Sequence, residues 1–88
     1  MLNSVILTVK IERTDLVYDM EFPASIPGAP LCDKLLAALK NIENSTFRSI
    51  EKINIIIDKT GRQLSDGQTL EEAGVWDGSI VTVVKGSW

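Results

Sequence analysis

The stretch Gly61-Arg62-Gln63-Leu64-Ser65-Asp66-Gly67-Gln68-Thr69-Leu70 decides how this chain folds. It sets two turn signals and a helical start side by side. Lys59-Thr60-Gly61-Arg62 reverses the chain, Gln63-Leu64 supplies a very short strand, and Ser65-Asp66-Gly67 interrupts it. Thr69 then caps one helical turn, with Glu72 three residues later and Gly74 closing it. Just upstream, the β-branched run Ile53 to Asp58 reads as a strand. Downstream, Asp77-Gly78 is a turn signal and Ile80 to Val84 reads as the last strand.

Further upstream the apolar period is two. Val5, Leu7, Val9 and Ile11 alternate with Ile6, Thr8, Lys10 and Glu12, and Leu16, Tyr18, Met20 and Phe22 alternate with Val17, Asp19 and Glu21. Each run has one dry and one wet face, and the polar break at Arg13-Thr14-Asp15 joins them as an antiparallel hairpin. A two-residue turn at Thr14-Asp15 sets Ile11 against Tyr18, Val9 against Met20 and Leu7 against Phe22. Lys10 then faces Asp19 as an opposite-charge pair. An odd loop with a compensating bulge satisfies the same pattern.

Pro23, Pro27, Gly28 and Pro30 forbid regular pairing and turn the chain. Pro30 suits the first turn of a helix, where its missing N–H costs nothing. Leu31, Leu35, Leu39 and Ile42 recur at helical spacing, flanked by Cys32 and Leu36, while Asp33, Lys34, Lys40 and Asn41 take the other side. Asn44-Ser45-Thr46 is expected to end this helix. The predicted order is strand, strand, helix, strand, short strand, strand. A helix across a mixed sheet of four to five strands is a two-layer α+β domain, expected to span residues 1–88.

Composition narrows the function. The chain has 88 residues, 44% of them hydrophobic, enough for one small core. A net charge of −3 with scattered Lys and Arg argues against a nucleic-acid partner. No apolar run reaches the about 18 residues of a membrane span, so no direct membrane insertion is expected. Met1-Leu2-Asn3-Ser4 shows no signal-peptide pattern, and Cys32 is the only cysteine, so no intrachain disulfide forms. A cytoplasmic address is the expectation.

The Gly61–Leu70 stretch resembles the ubiquitin segment Gly-x-Gln-Leu-x-Asp-Gly-x-Thr-Leu, and the match continues ungapped into Ile80–Val84. Within that superfamily the chain is similar to the YukD/EsaB group. The features that carry this are Val9-Lys10-Ile11-Glu12, Tyr18-Asp19-Met20-Glu21-Phe22-Pro23, the Gly61-Arg62-Gln63-Leu64 turn and Thr69 through Gly78. The resemblance implies a β-grasp (ubiquitin-like) fold. It also implies a non-catalytic accessory role in a bacterial type VII (WXG-type) secretion system. The partners it implies are proteins, among them the machinery's membrane ATPase or pseudokinase-like component. A docking module of a larger scaffold is the alternative.

A third reading is a protein modifier or sulfur carrier. Such proteins act through a Gly-Gly tail, and this chain runs Val84-Lys85-Gly86-Ser87-Trp88, which argues against that role. Ubiquitin's apolar recognition patch is not kept either. Its central isoleucine position holds Asp58, its histidine position holds Thr82, and only Val84 keeps the chemistry.

A different patch is expected. With Val81 and Val83 facing the helix, Ile80, Thr82 and Val84 face outward. With Ile55 and Ile57 inward, Ile56 lies beside them, and Ile6 joins from the first strand. Gathered, these form a candidate protein interface; scattered, they are the ordinary surface aliphatics of strands. Trp76 either covers the bottom of the core or joins that interface.

Little points to chemistry. There is no histidine, which removes the usual general base and the commonest metal ligand. Cys32, on the apolar side of the helix, reads as a buried structural thiol. Asp19/Glu21 and Glu71/Glu72 read as solvated charges. Lys59-Thr60-Gly61 lacks phosphate-loop order. No enzyme activity and no cofactor are expected.

Overall fold

The computed structural model describes residues 4–86. Its elements, in order, are β1 (Ser4–Ile11), β2 (Val17–Pro23), α1 (Gly28–Ile42), α2 (Asn44–Phe47), β3 (Ile53–Ile57), β4 (Arg62–Gln63) and β5 (Ile80–Lys85). The strands form one five-stranded sheet in the order β2-β1-β5-β3-β4. β1 and β5 lie parallel at its centre, and the other pairings are antiparallel. This is the expected α+β arrangement, with α1 laid across one face of the sheet.

The period of two decides which face is dry. Val5, Leu7 and Val9 of β1, Ile53 and Ile55 of β3, and Val81 and Val83 of β5 are buried. Leu31, Leu35, Leu36 and Leu39 close over them from α1. The same strands turn Ile6, Thr8, Lys10, Asn54, Ile56, Ile80, Thr82 and Val84 to the other face, which no helix covers. The fold therefore has one roofed and one open side.

The hairpin register differs from expectation by two residues. Leu7 pairs with Met20, Val9 with Tyr18, Thr8 with Asp19 and Lys10 with Val17. A two-residue shift keeps every side chain on its face, so apolar patterning could not detect it. The turn chemistry explains the shift. A tight two-residue hairpin needs positive φ at its centre, which β-branched Thr14 does not supply. The chain instead uses the longer loop 12–15, where Arg13 takes a φ of 63°. The Thr14 hydroxyl donates to Ile11 O and accepts from Leu16 N, both at 3.0 Å. Lys10 is thus not opposite Asp19. Pro23 also belongs to β2, where it closes an edge strand, a position that tolerates a missing N–H.

The helical part also departs in its last turns. Ile42 is exposed rather than packed. Asn44-Ser45-Thr46 does not end the helical region but opens α2, which delivers Phe47, fully buried, into the core. Lys85 Nζ stands 5.8 Å from the centre of that ring. Tyr18 Oη donates to Glu43 Oε1 and ties β2 to the end of α1. That hydrogen bond, with partial burial and the Glu43 charge, raises the phenol above its ordinary value.

The segment from Arg62 to Gly74 locks the sheet to the helix. β4 covers Arg62–Gln63, so Leu64, expected in the strand, turns inward and is buried. Gly28 N donates to Gln68 O at 2.9 Å and Ala29 N to Asp66 O at 3.0 Å, which satisfies the first turn of α1. Glu72 N donates to Thr69 Oγ1 at 3.0 Å and Thr69 N to Glu72 Oε1 at 2.9 Å, a complete capping box.

Candidate protein-docking face

The uncovered sheet face is built by alternation. Across it run Val17, Asp19 and Glu21 of β2, then Ser4, Ile6, Thr8 and Lys10 of β1. Ile80, Thr82 and Val84 of β5 follow, then Asn54 and Ile56 of β3. Registers fix the neighbours. Thr8 stands beside Ile80, and Lys10 beside Thr82. Ile56 also stands beside Thr82, and Asn54 beside Val84.

The expected interface residues do lie on this side, but they do not form one block. Ile6 and Ile80, 49% and 44% exposed, sit diagonally across β1 and β5 near one end. Ile56 and Val84, both half-buried, sit diagonally across β3 and β5 toward the other. Thr82, also half-buried, lies between the pairs and belongs to a polar centre.

That centre is an ion pair with a hydroxyl. Lys10 Nζ lies 2.8 Å from Asp58 Oδ2, and Thr82 Oγ1 donates to Asp58 Oδ1 at 2.6 Å. Partial burial pushes the Asp58 carboxyl up, but the hydrogen bonds from Lys10 and Thr82 and the Lys10 charge outweigh it. The carboxyl is held below its ordinary value. The partner of Lys10 is therefore Asp58, not Asp19, which accepts from Thr8 Oγ1 at 3.0 Å.

Trp76 is 56% exposed and does not cover the core; Val75 beside it takes that inward place. It opens a tight turn in which Ser79 N donates to Trp76 O at 3.0 Å and Trp76 N to Ser79 Oγ at 2.9 Å. Gly78 relieves the geometry with a φ of 85°. The turn is fastened to β1, since Ile6 N donates to Asp77 Oδ1 and Gly78 N to Ile6 O, both at 2.8 Å. Trp76, Ile6 and Ile80 thus gather at one end of the open face. Sequence reasoning could not find this, because the turn meets β1 through contacts 71 residues apart.

Of the groups weighed for chemistry, Asp19, Glu21 and Glu72 have structural partners. Cys32 is half-buried against the core rather than fully buried. Burial, then Asp66 and Asp33, raise its thiol above the ordinary value, and Lys52 offsets this in part. Such a thiol is a poor nucleophile at neutral pH. Glu21 accepts from the Ser4 hydroxyl, and Glu72 is engaged in its cap. Among the described residues no three His, Cys, Asp or Glu side chains group as metal ligands. Among the same residues no helix is long and apolar enough to cross a membrane. Ser87 and Trp88 lie outside the described residues, so the expectation about the tail has no structural counterpart here.

Solved structures with this arrangement include relatives from secretion machinery. The ubiquitin-like domain of the Mycobacterium tuberculosis type VII secretion system protein EccD1 matches 96% of this chain and 100% of its own. Its identity is 24% and its TM-score 0.74. A chain of the MycP5-free ESX-5 inner membrane complex matches 99% of this one at 17% identity and TM-score 0.76, over 22% of its own length. Caldiarchaeum subterraneum ubiquitin matches 97% of this chain and 96% of its own, at 19% identity and TM-score 0.68. These likenesses show the ubiquitin-like fold. No curated protein matches the chain. The family model described as "WXG100 protein secretion system (Wss), protein YukD" matches residues 5–83, and the chain belongs to that family.

Proposed function

We propose that this protein is a non-catalytic docking component of a type VII secretion system, acting in the bacterial cytoplasm as one ubiquitin-like module. The YukD family supports the system, and the open sheet face supports the mode of action. The observation that carries the reading is the exposed aliphatic and aromatic side chains of that face, left without a cover by the fold's single layer of helix. Removing such surface from water drives protein association.

The partner is a protein of the machinery, with the membrane ATPase or the pseudokinase-like component as the first candidates. The likeness to part of a chain in the ESX-5 inner membrane complex is consistent with that choice. Affinity purification of the tagged protein from its native host, with mass spectrometry, tests the reading. Recovery of a type VII membrane component is expected; recovery of none contradicts it.

A second reading is a docking module inside a longer polypeptide. It is favoured by the same likeness, in which this fold accounts for 22% of a larger chain. A native open reading frame running well beyond Trp88 supports it, and one ending there contradicts it.

A further inference from the structure

Three exposed apolar groups, Trp76, Ile6 and Ile80, meet at one end of the docking face, away from Val17, and the charges on the β1–β2 side of that end are acidic. Residues 14–33 and 63–84 contain no Lys or Arg. These two segments meet at the Trp76 end of the sheet. Glu71 N donates to Ala24 O at 3.1 Å, Thr69 bridges to Pro27, and Asp77 is fastened to Ile6. Glu21 stands opposite Ile6 in the hairpin. Glu21 and Asp77 therefore border Ile6 and the Trp76 turn, and Glu71 lies on the adjoining segment. Among the described residues the only ion pair is Lys10–Asp58, so none of the three has an ion-pair partner among them. Lys59 lines a groove with Gly78, Ser79 and Ile80, so a basic side chain flanks this end from the β3 side, opposite the acidic one.

We propose that this end of the face receives a basic amphipathic segment of a partner protein, an apolar anchor flanked by Lys or Arg. The inference rests on the docking reading above and names the chemistry of its partner. Trp76, Ile6 and Ile80 supply the surface removed from water, and Trp is among the residues enriched at interface hot spots. The acidic border selects the partner, because complementary charge speeds encounter and like charge costs several kcal/mol. A second copy does not fit here. A two-fold contact would set Glu21, Glu71 and Asp77 against themselves. Nucleic acid is repelled by the same border.

Titrating the isotope-labelled full chain with a synthetic Leu/Lys helical peptide, and separately with its Leu/Glu counterpart, tests the inference by amide NMR shifts. The Leu/Lys peptide is expected to move Ile6, Glu21, Trp76 and Ile80 amides, less so as salt rises, while the Leu/Glu peptide moves none. Trp76→Ala weakens that binding about tenfold or more, and Glu21→Lys combined with Glu71→Lys abolishes it, with melting temperatures held. Equal response to both peptides, shifts centred on α1, or a dimer formed through this face would overturn it. The two readings separate cleanly. If a machinery component is recovered and the double charge reversal leaves recovery intact, docking stands and this inference falls. If the peptide binds here but no component is recovered, the surface chemistry stands and the secretion partner falls.

Discussion

Lys10 Nζ meets Asp58 Oδ2 at 2.8 Å across the full width of β5, with Thr82 bound to the other oxygen of the same carboxylate. The two residues are 48 positions apart; Lys10 belongs to β1 and Asp58 lies just past the end of β3, and those two strands do not pair. Their pairing places charge at the middle of the open face, where ubiquitin carries an aliphatic recognition patch. A receptor shaped for that patch would have to bury this pair, and desolvating an ion pair costs more than it returns without new partners.

The same pair predicts a pH effect. Asp58 has a lower value in the folded state than its ordinary one, so its contribution is present above the unfolded carboxyl value and is lost as pH falls through the folded value. Comparing urea unfolding of wild type and Asp58→Asn should give a difference of about 0.5–1 kcal/mol at pH 7. The difference should be fully present above about pH 4 and disappear as pH falls through the lowered folded value. A gap that persists at acid pH would show that the carboxylate charge is not its source.

Gly28 is where the helix meets the Ser65–Gln68 loop. A β-carbon there would lie 2.1 Å from the Ser65 carbonyl oxygen, which is backbone and has little freedom to yield. Gly28→Ala should cost about 2–3 kcal/mol in chemical unfolding. Gly67→Ala, whose β-carbon would meet nothing within 4 Å, should stay within about 0.5 kcal/mol of wild type. Equal effects at the two sites would mean that the loop moves aside.

Phe47 is fully buried at the end of α2. Phe47→Ala removes a large side chain from the core and should cost about 3–5 kcal/mol, read from thermal or urea unfolding. A cost under about 1 kcal/mol would mean that α2 does not hold the ring in place.

What could be read from residues and what could not follows a physical line. Alternation in β1, β3 and β5 and the Leu31, Leu35, Leu39 repeat depend on local period, and they gave the correct layers and the correct open face. The Thr69–Glu72 capping box is local too, and it formed as expected. Register was lost because a two-residue shift leaves the period unchanged. Phe47 was hidden behind Asn44-Ser45-Thr46, polar residues that read as a stop and serve instead as a short second helix. Trp76, expected first as a cover for the bottom of the core, lies exposed instead, because an aromatic carries no periodic signature that separates the two. Its place depended on the contact of its turn with Ile6. The Lys10–Asp58–Thr82 centre joins β1, β5 and the turn after β3, and no local pattern carries it.

The most direct test of the account compares neighbouring substitutions on β5. Ile80→Asp and Val84→Asp place a charge on the open face, whereas Val83→Asp buries one without a partner. The measurement is recovery of the type VII membrane component from the native host, with melting temperature recorded for each variant. The account predicts that Ile80→Asp stays folded and loses the partner, that Val84→Asp, at the other end of the face, stays folded and affects recovery less, and that Val83→Asp unfolds. Retention of the partner by Ile80→Asp, or equal loss of stability in all three, would contradict it.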